Sequence, residues 1–142
     1  MLKGLDGRKM SKSYNNTIPL FVSEKKLQKL VRKIKTNSLE PGEPKDPDTC
    51  TLFQIFSAFA SESEALAMRQ QYAEGIGWGE AKDRVFEYVN AHLSAPRERY
   101  NALMEDPAHI EAVLQKGAER AREEAAVTMD RLRAAVGLGR FV

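Results

Sequence analysis

Apolar residues recur every three or four positions through most of this 142-residue chain, and no stretch alternates between apolar and polar residues. One such stripe comprises Leu27, Leu30, Val31 and Ile34. A second runs from Ala81 to Leu93 in steps of four. This spacing is typical of amphipathic helices, whereas half-buried strands alternate with a period of two. We therefore predict a mainly α fold built as a helical bundle.

Composition divides the chain into three segments. Residues 1–22 carry two polar bursts and a short apolar patch, which predicts a loop followed by an extended stretch. Residues 23–47 hold a lysine-rich helix and a linker with three prolines, which favour an extended, solvated backbone. Residues 48–142 are predicted to form an α-helical domain of about five helices.

Several residues mark the ends of the predicted helices. Ser61 and Glu64 match a capping box, and Asp106 followed by Pro107 is typical of a helix start. Pro96 is expected to kink or break the long helix around it. The last helix is predicted to bury a core stripe made of Ile110, Val113, Leu114, Ala118, Ala121 and Ala125.

Composition excludes several classes of protein. The net charge is +2 and hydrophobic residues make up 42% of the chain, unlike a disordered sequence. A single cysteine, Cys50, predicts neither an internal disulfide nor a metal site. No apolar run approaches the ~18 residues of a membrane span, and no signal peptide is visible. We expect a cytoplasmic protein without a membrane partner.

The sharpest chemical feature is the pentapeptide Lys9-Met10-Ser11-Lys12-Ser13 on a glycine-flanked loop. Two ammonium groups on one loop can neutralise charge that grows on a departing pyrophosphate. The hydroxyl groups can donate hydrogen bonds to phosphate oxygens. An exposed basic loop without a ligand is nevertheless the commoner explanation of such a pattern when charge alone is considered.

The letters of this pentapeptide, KMSKS, resemble the ATP-binding signature of class I aminoacyl-tRNA synthetases. The flanking strings GLDGR and YNN resemble the tryptophanyl-tRNA synthetase form of that loop. Residues 40–47 and 75–82 are similar to one bacterial branch of the family, and residues 117–122 resemble its last helix. The resemblance covers nearly the whole chain, with its segments in the same order.

The resemblance also implies a place within a larger enzyme. Synthetases of this family begin with a nucleotide-binding fold that carries a HIGH-type signature, and no HIGH-like string occurs here. We therefore expect the C-terminal portion of such an enzyme, with the KMSKS loop of a missing Rossmann-type catalytic domain followed by an anticodon-binding-like helical region. This portion is expected to be inactive alone.

In the family, the tryptophan carboxylate attacks the α-phosphorus of ATP, and the acyl group of the resulting adenylate passes to tRNA. Mg²⁺ accompanies the ATP, and tryptophan binds in the N-terminal half. The resemblance implies that Lys9 and Lys12 are catalytic and contact the triphosphate. Ser11 and Ser13 would bind phosphate or shape the loop, and Met10 would anchor it on the body of the protein.

The helical remainder is expected to bind tryptophan tRNA, and the family enzymes are homodimers. RNA binding requires cations that neutralise the phosphate backbone. The candidate residues are Arg97, Arg99, Lys116, Arg120 and Arg122, together with the lysine-rich face of residues 25–35. Alternatively, these charges form weak ion pairs with acidic neighbours on a solvated helix surface.

Three other interpretations stay open. The chain could derive from a tyrosyl-tRNA synthetase, although the LDGR string and residues 75–82 favour the tryptophan enzyme. It could be a free-standing helical tRNA-binding module, or an interaction module built on Phe53, Phe56 and Phe59. The intact KMSKS string disfavours both modules, because a binding module has no need of a pyrophosphate loop.

Overall fold

The computed structural model describes residues 2–138. Within this range it contains a 3-10 turn at Lys12–Tyr14 and five α-helices, which are α1 (Glu24–Lys33), α2 (Thr51–Ser57), α3 (Glu62–Ala73), α4 (Trp78–Glu105) and α5 (Pro107–Ala135). Extended backbone pairs there only in an isolated antiparallel bridge between Lys3 and Lys9. None of these five helices combines the length and apolar character needed to span a bilayer. The predicted mainly α fold is confirmed.

Both predicted helix starts are present. At the start of α3, the Ser61 N–H donates to Glu64 Oε2 at 2.9 Å, and the Glu64 N–H donates to Ser61 Oγ at 3.4 Å. At the start of α5, the Asp106 carboxylate accepts the His109 N–H at 3.0 Å. These side chains satisfy amide groups that have no partner within a helix, so each helix begins where the sequence predicts.

The hydrophobic core lies in the first of two compact units, which ends at Glu98. It is built from one face each of α1 and α3, from most of α2 and from the first four turns of α4. Its largest fully buried side chains are Tyr72, Leu27, Ile34, Leu52, Val31 and Val85. Tyr72 meets the ring of Phe53 edge-on at 5.5 Å, and burial raises the pKa of its hydroxyl. The lysine-rich helix α1 is therefore a core element as well as a charged surface.

The proline-rich linker is docked on the first unit, which its composition did not predict. Its side chains are mostly exposed, as expected. Its backbone, however, bonds to the end of α3: the Gly42 N–H donates to the Gly75 carbonyl and the Lys45 N–H to the Tyr72 carbonyl, each at 2.8 Å. The linker therefore behaves as part of the folded unit rather than as a solvated strand.

The helix α4 continues through Pro96, so the expected break is absent. Proline lacks an N–H, which costs the helix its hydrogen bond to the carbonyl of His92, four residues earlier. Helical backbone nevertheless continues on both sides. As a result, four helices follow Asp48 within the described residues, rather than about five.

The second compact unit begins at Arg99 and contains the end of α4 and the whole of α5. No residue of α5 is buried among the described residues. The predicted core stripe is therefore wrong: Val113 and Leu114 are 58% and 61% exposed, and only Ile110 and Ala118 are half-buried. Apolar periodicity identified the helix correctly, but burial also needs a packing surface that residues 2–138 do not supply.

Candidate functional site

The pentapeptide 9–13 extends from a tight backbone hairpin formed by residues 2–10. The Met10 N–H donates to the Leu2 carbonyl at 3.1 Å. The turn of the hairpin falls at Gly7, where φ is +84°, a conformation that favours glycine because it has no Cβ. The segment predicted as an irregular loop therefore has a hydrogen-bonded base.

The side chain of Asn16 lies inside this loop and is 2% exposed. Its Oδ1 accepts the Ser11 N–H at 2.8 Å. Its Nδ2 donates to the Lys9 carbonyl at 3.1 Å and to Asp6 Oδ1 at 2.8 Å. The Asn16 amide thus links the backbone on both sides of Met10 to the Asp6 side chain in the hairpin.

Asp6 and Arg8 complete this polar cluster. Arg8 Nε donates to Asp6 Oδ2 at 2.7 Å, and the guanidinium carbon lies 4.6 Å from the centre of the Tyr14 ring. Hydrogen bonds from Asn16 and then Arg8 lower the pKa of Asp6 to about 2. The carboxylate therefore stays charged at neutral pH, and Arg8 is committed to Asp6 and Tyr14.

The two signature lysines, Lys9 and Lys12, are exposed. Unlike Arg8, neither forms an ion pair within residues 2–138. Ser11 Oγ lies 2.8 Å from Ser13 Oγ. The structure thus places two available ammonium groups and a pair of hydroxyl groups on one exposed loop, an arrangement suited to a polyanion.

Met10 is half-buried, as is Ser11 beside it. It lines an apolar cavity of about 220 Å³ together with Leu27 and Val31 of α1 and Phe59. This position is where an anchor of the loop would lie. The anchoring role itself stays a prediction.

The five candidate tRNA-binding residues fall into both units. Arg97 belongs to the first unit, and its guanidinium donates to Asn90 Oδ1 at 2.9 Å. The other four belong to the second unit, where they are exposed and form no ion pair among the described residues: Arg99, Lys116, Arg120 and Arg122. Lys116 and Arg120 are four residues apart in α5 and so share one face of the helix. The alternative, that the basic residues of α5 pair with acidic neighbours, holds within the described residues only for Arg133, which pairs with Asp130.

The lysine-rich face of α1 is also available to solvent. Its exposed lysines, none in an ion pair within the described residues, are Lys25, Lys26, Lys29, Lys33 and Lys35. Arg32 is the exception, because its Nη2 pairs with Asp83 Oδ1 at 3.0 Å.

The sequence was compared with models of known families. Residues 1–94 match the model described as class I tRNA synthetases of the W and Y type, that is, the tryptophan and tyrosine enzymes. The chain belongs to this family. Its KMSKS pentapeptide and the core of its first unit both lie within the matched region.

Curated relatives and solved structures agree with this assignment. A tryptophan–tRNA ligase of Neisseria meningitidis is 54% identical over 138 residues, which are 97% of this chain and 41% of the relative. One from Pseudomonas aeruginosa is 52% identical, over 96% of this chain and 31% of the relative. The crystal structure of Campylobacter jejuni tryptophanyl-tRNA synthetase complexed with ADP and tryptophan superposes with a TM-score of 0.89 and 40% identity, over 96% of this chain and 43% of that one. The chain therefore spans less than half the length of these synthetases.

Sequence reasoning missed two buried polar residues, Asn16 beside the pentapeptide and Lys45 in the linker. In the sequence, Asn16 is only the last letter of the YNN string, and nothing local distinguishes it from the exposed Asn15 beside it. Lys45 is 4% exposed, and its Nζ donates to the carbonyls of Glu40 and Glu43 at 2.8 and 2.9 Å. The proline-rich composition of the linker gave no signal of this burial, which depends on the docked backbone.

Proposed function

We propose that this chain acts within a tryptophan–tRNA ligase, where residues 9–13 hold the triphosphate of ATP and the helices bind tryptophan tRNA. The observation that carries the proposal is the loop itself: Lys9 and Lys12 are exposed and unpaired within the described residues, on a backbone tied down by Asn16. Membership of the synthetase family supplies the reaction class.

The loop's contribution is electrostatic. When the tryptophan carboxylate attacks the α-phosphorus, the bond to the bridging oxygen breaks and pyrophosphate departs with the negative charge. Lys9 and Lys12 then stabilise that charge more than they stabilise bound ATP, and this difference accelerates the step. Because Ser11 Oγ and Ser13 Oγ lie 2.8 Å apart, one hydroxyl can donate to a phosphate oxygen while it accepts from the other. Mg²⁺ would accompany ATP and supply further positive charge at the phosphates.

Tryptophan is favoured over tyrosine as the amino acid because the relatives at 54% and 52% identity are both tryptophan–tRNA ligases. The Campylobacter jejuni enzyme, similar over 96% of this chain, was crystallised with ADP and tryptophan, which supports both the nucleotide and the amino acid. The resemblance further implies a homodimeric enzyme that works in the cytoplasm, where tRNA is charged.

For tRNA, the proposal assigns the contacts to Arg97, Arg99, Lys116, Arg120 and Arg122. Support comes from the exposure of the last four and from their lack of ion pairs among the described residues. Arg97 has Asn90 as a competing partner, so we expect it to contribute least.

The loop's role can be tested in a chimera in which this chain replaces the matched 138-residue region of the Neisseria meningitidis enzyme. We expect tryptophan-dependent ATP–pyrophosphate exchange. Lys12→Ala should lower kcat by about 10²–10³-fold, with KM for ATP changed less than about threefold. Lys33→Ala, an exposed lysine of α1, serves as the matched control and should leave both constants unchanged. Exchange near the wild-type rate in Lys12→Ala would refute the catalytic role.

The helical part can be tested with the chain itself. We expect it to bind tryptophan tRNA more tightly than tyrosine tRNA, with an affinity that falls as salt rises. Arg120→Gln should reduce the slope of log K against log salt by about 1, if Arg120 meets a phosphate. Arg133→Gln, which removes an ion-paired arginine of the same helix, should leave the slope unchanged. Equal binding of the two tRNAs would contradict specific recognition by these helices.

A further inference from the structure

The loop 9–13 is held from two sides of different character. On its apolar side, Met10 lines a cavity of about 220 Å³, so the Met10 side chain does not fill the space between the loop and α1. On its polar side, the buried Asn16 amide makes three hydrogen bonds of 2.8, 2.8 and 3.1 Å. The backbone geometry of the loop therefore depends mainly on the polar side, because a loosely packed side chain permits several positions.

Two of the three atoms that Asn16 contacts lie immediately before and after Met10. The Lys9 carbonyl accepts from Nδ2, and the Ser11 N–H donates to Oδ1. Fixing both peptide groups sets the direction in which the Lys9 side chain leaves the backbone and the start of the turn that carries Lys12.

Only a primary amide provides what this position requires, namely an acceptor oxygen and an NH2 group with two hydrogens on the same carbon. A carboxylate of the same size would accept from Ser11 but would have no hydrogen for Lys9. It would also face the ionised Asp6. Close packing limits the alternatives further, because a Cβ on Gly4 would lie 2.5 Å from Asn16 Cγ.

We propose that Asn16 is a positioning residue for pyrophosphate, orienting Lys9 and Lys12 through the backbone without touching the ligand. This proposal rests on the proposed function, since it assumes that the loop binds phosphate. It assigns a role in pyrophosphate binding to a residue that lies outside the pentapeptide 9–13.

The test measures binding of inorganic pyrophosphate to the ¹⁵N-labelled 142-residue chain by NMR. In the wild type, pyrophosphate should shift the amides of Lys9, Ser11 and Lys12. Asn16→Ala should weaken this binding at least tenfold and abolish hydrogen-exchange protection of the Ser11 amide. The matched control is Asn15→Gly: Asn15 is exposed and has a φ of +50°, which glycine tolerates, so affinity should stay within twofold.

Asn16→Asp provides a second variant, because it keeps the volume of the side chain. It should weaken binding at least as much as Asn16→Ala, because the buried carboxylate has no hydrogen for the Lys9 carbonyl and meets the ionised Asp6. Amide shifts of α4 that match the wild type would show that the first unit is still folded. Affinity within threefold of wild type in both Asn16 variants would overturn the positioning role and leave the proposed function intact. An equal loss in Asn15→Gly would also overturn it. A wild-type chain that shows no pyrophosphate-dependent shifts would overturn this inference, whereas the proposed function is judged separately by the exchange activity of the chimera.

Discussion

Gly42 and Gly75 lie in direct backbone contact, although 33 positions separate them in the sequence (75 minus 42). The Gly42 N–H donates to the Gly75 carbonyl at 2.8 Å. A Cβ built on Gly75 would lie 2.4 Å from the Gly42 carbonyl carbon, and the φ of Gly75 is +87°. This contact docks the proline-rich linker on the end of α3 and excludes any side chain at position 75.

Gly75→Ala should therefore destabilise the first unit by about 2–4 kcal/mol, since it combines backbone strain with a clash against main-chain atoms. Urea unfolding followed by tryptophan fluorescence measures this change. Gly79→Ala is the control: nothing lies within 4 Å of a Cβ there, and alanine favours the helix. Equal stability of the two variants would show that the linker is not docked in this way.

Lys45→Met should also destabilise the first unit, by about 1–3 kcal/mol, because it keeps the buried stem but removes hydrogen bonds from a charged donor. The emission of Trp78, the only tryptophan, should change as well, since the ammonium lies 5.5 Å from the centre of its ring. In the exposed control Lys33→Met, we expect stability within about 0.5 kcal/mol of wild type. Unchanged stability and emission in Lys45→Met would mean that the buried contacts do not form in solution.

The same substitution at two leucines distinguishes the buried core of the first unit from the exposed apolar stripe of α5. Leu52 is 0% exposed and Leu114 is 61% exposed. Leu52→Ala should cost about 2–5 kcal/mol, from lost burial and a new cavity. Leu114→Ala in the same chain should change stability by less than about 0.5 kcal/mol. Comparable losses in thermal or urea unfolding would show that the α5 stripe is buried in solution, as the sequence alone predicted.

The Asp6 carboxyl should titrate near pH 2, below its usual value of 3.8. Because the folded pKa is depressed, the carboxylate contributes stability above the unfolded pKa, and this contribution is lost as pH falls from about 3.8 towards 2. Side-chain NMR titration should show the pKa of Asp6 rising towards its usual value in Asn16→Ala. Asp48 is the internal reference, since Arg69, on another part of the unit, lowers its pKa. If the pKa of Asp6 is the same in Asn16→Ala as in the wild type, the hydrogen bond from Asn16 to Asp6 does not form in solution.

Sequence reasoning recovered the features that depend on neighbouring residues. The capping box at Ser61 and Glu64 and the start of α5 at Asp106 were predicted and are present. The pentapeptide 9–13 was recognised from its letters, and the family match includes it. The break considered at Pro96 is absent, because a long helix can lose one hydrogen bond and still continue when its other bonds and packing remain.

The sequence by itself determined the helical class, most helix boundaries and the presence of the KMSKS pentapeptide, because periodicity, capping and short motifs are encoded within a few residues. The tertiary structure decided which apolar stripe is buried, so that Val31 belongs to the core while Val113 faces solvent. It also decided that Asn16 and Lys45 are buried donors. Such roles depend on which distant groups come within hydrogen-bonding or packing distance, and that proximity arises only when the whole chain has folded.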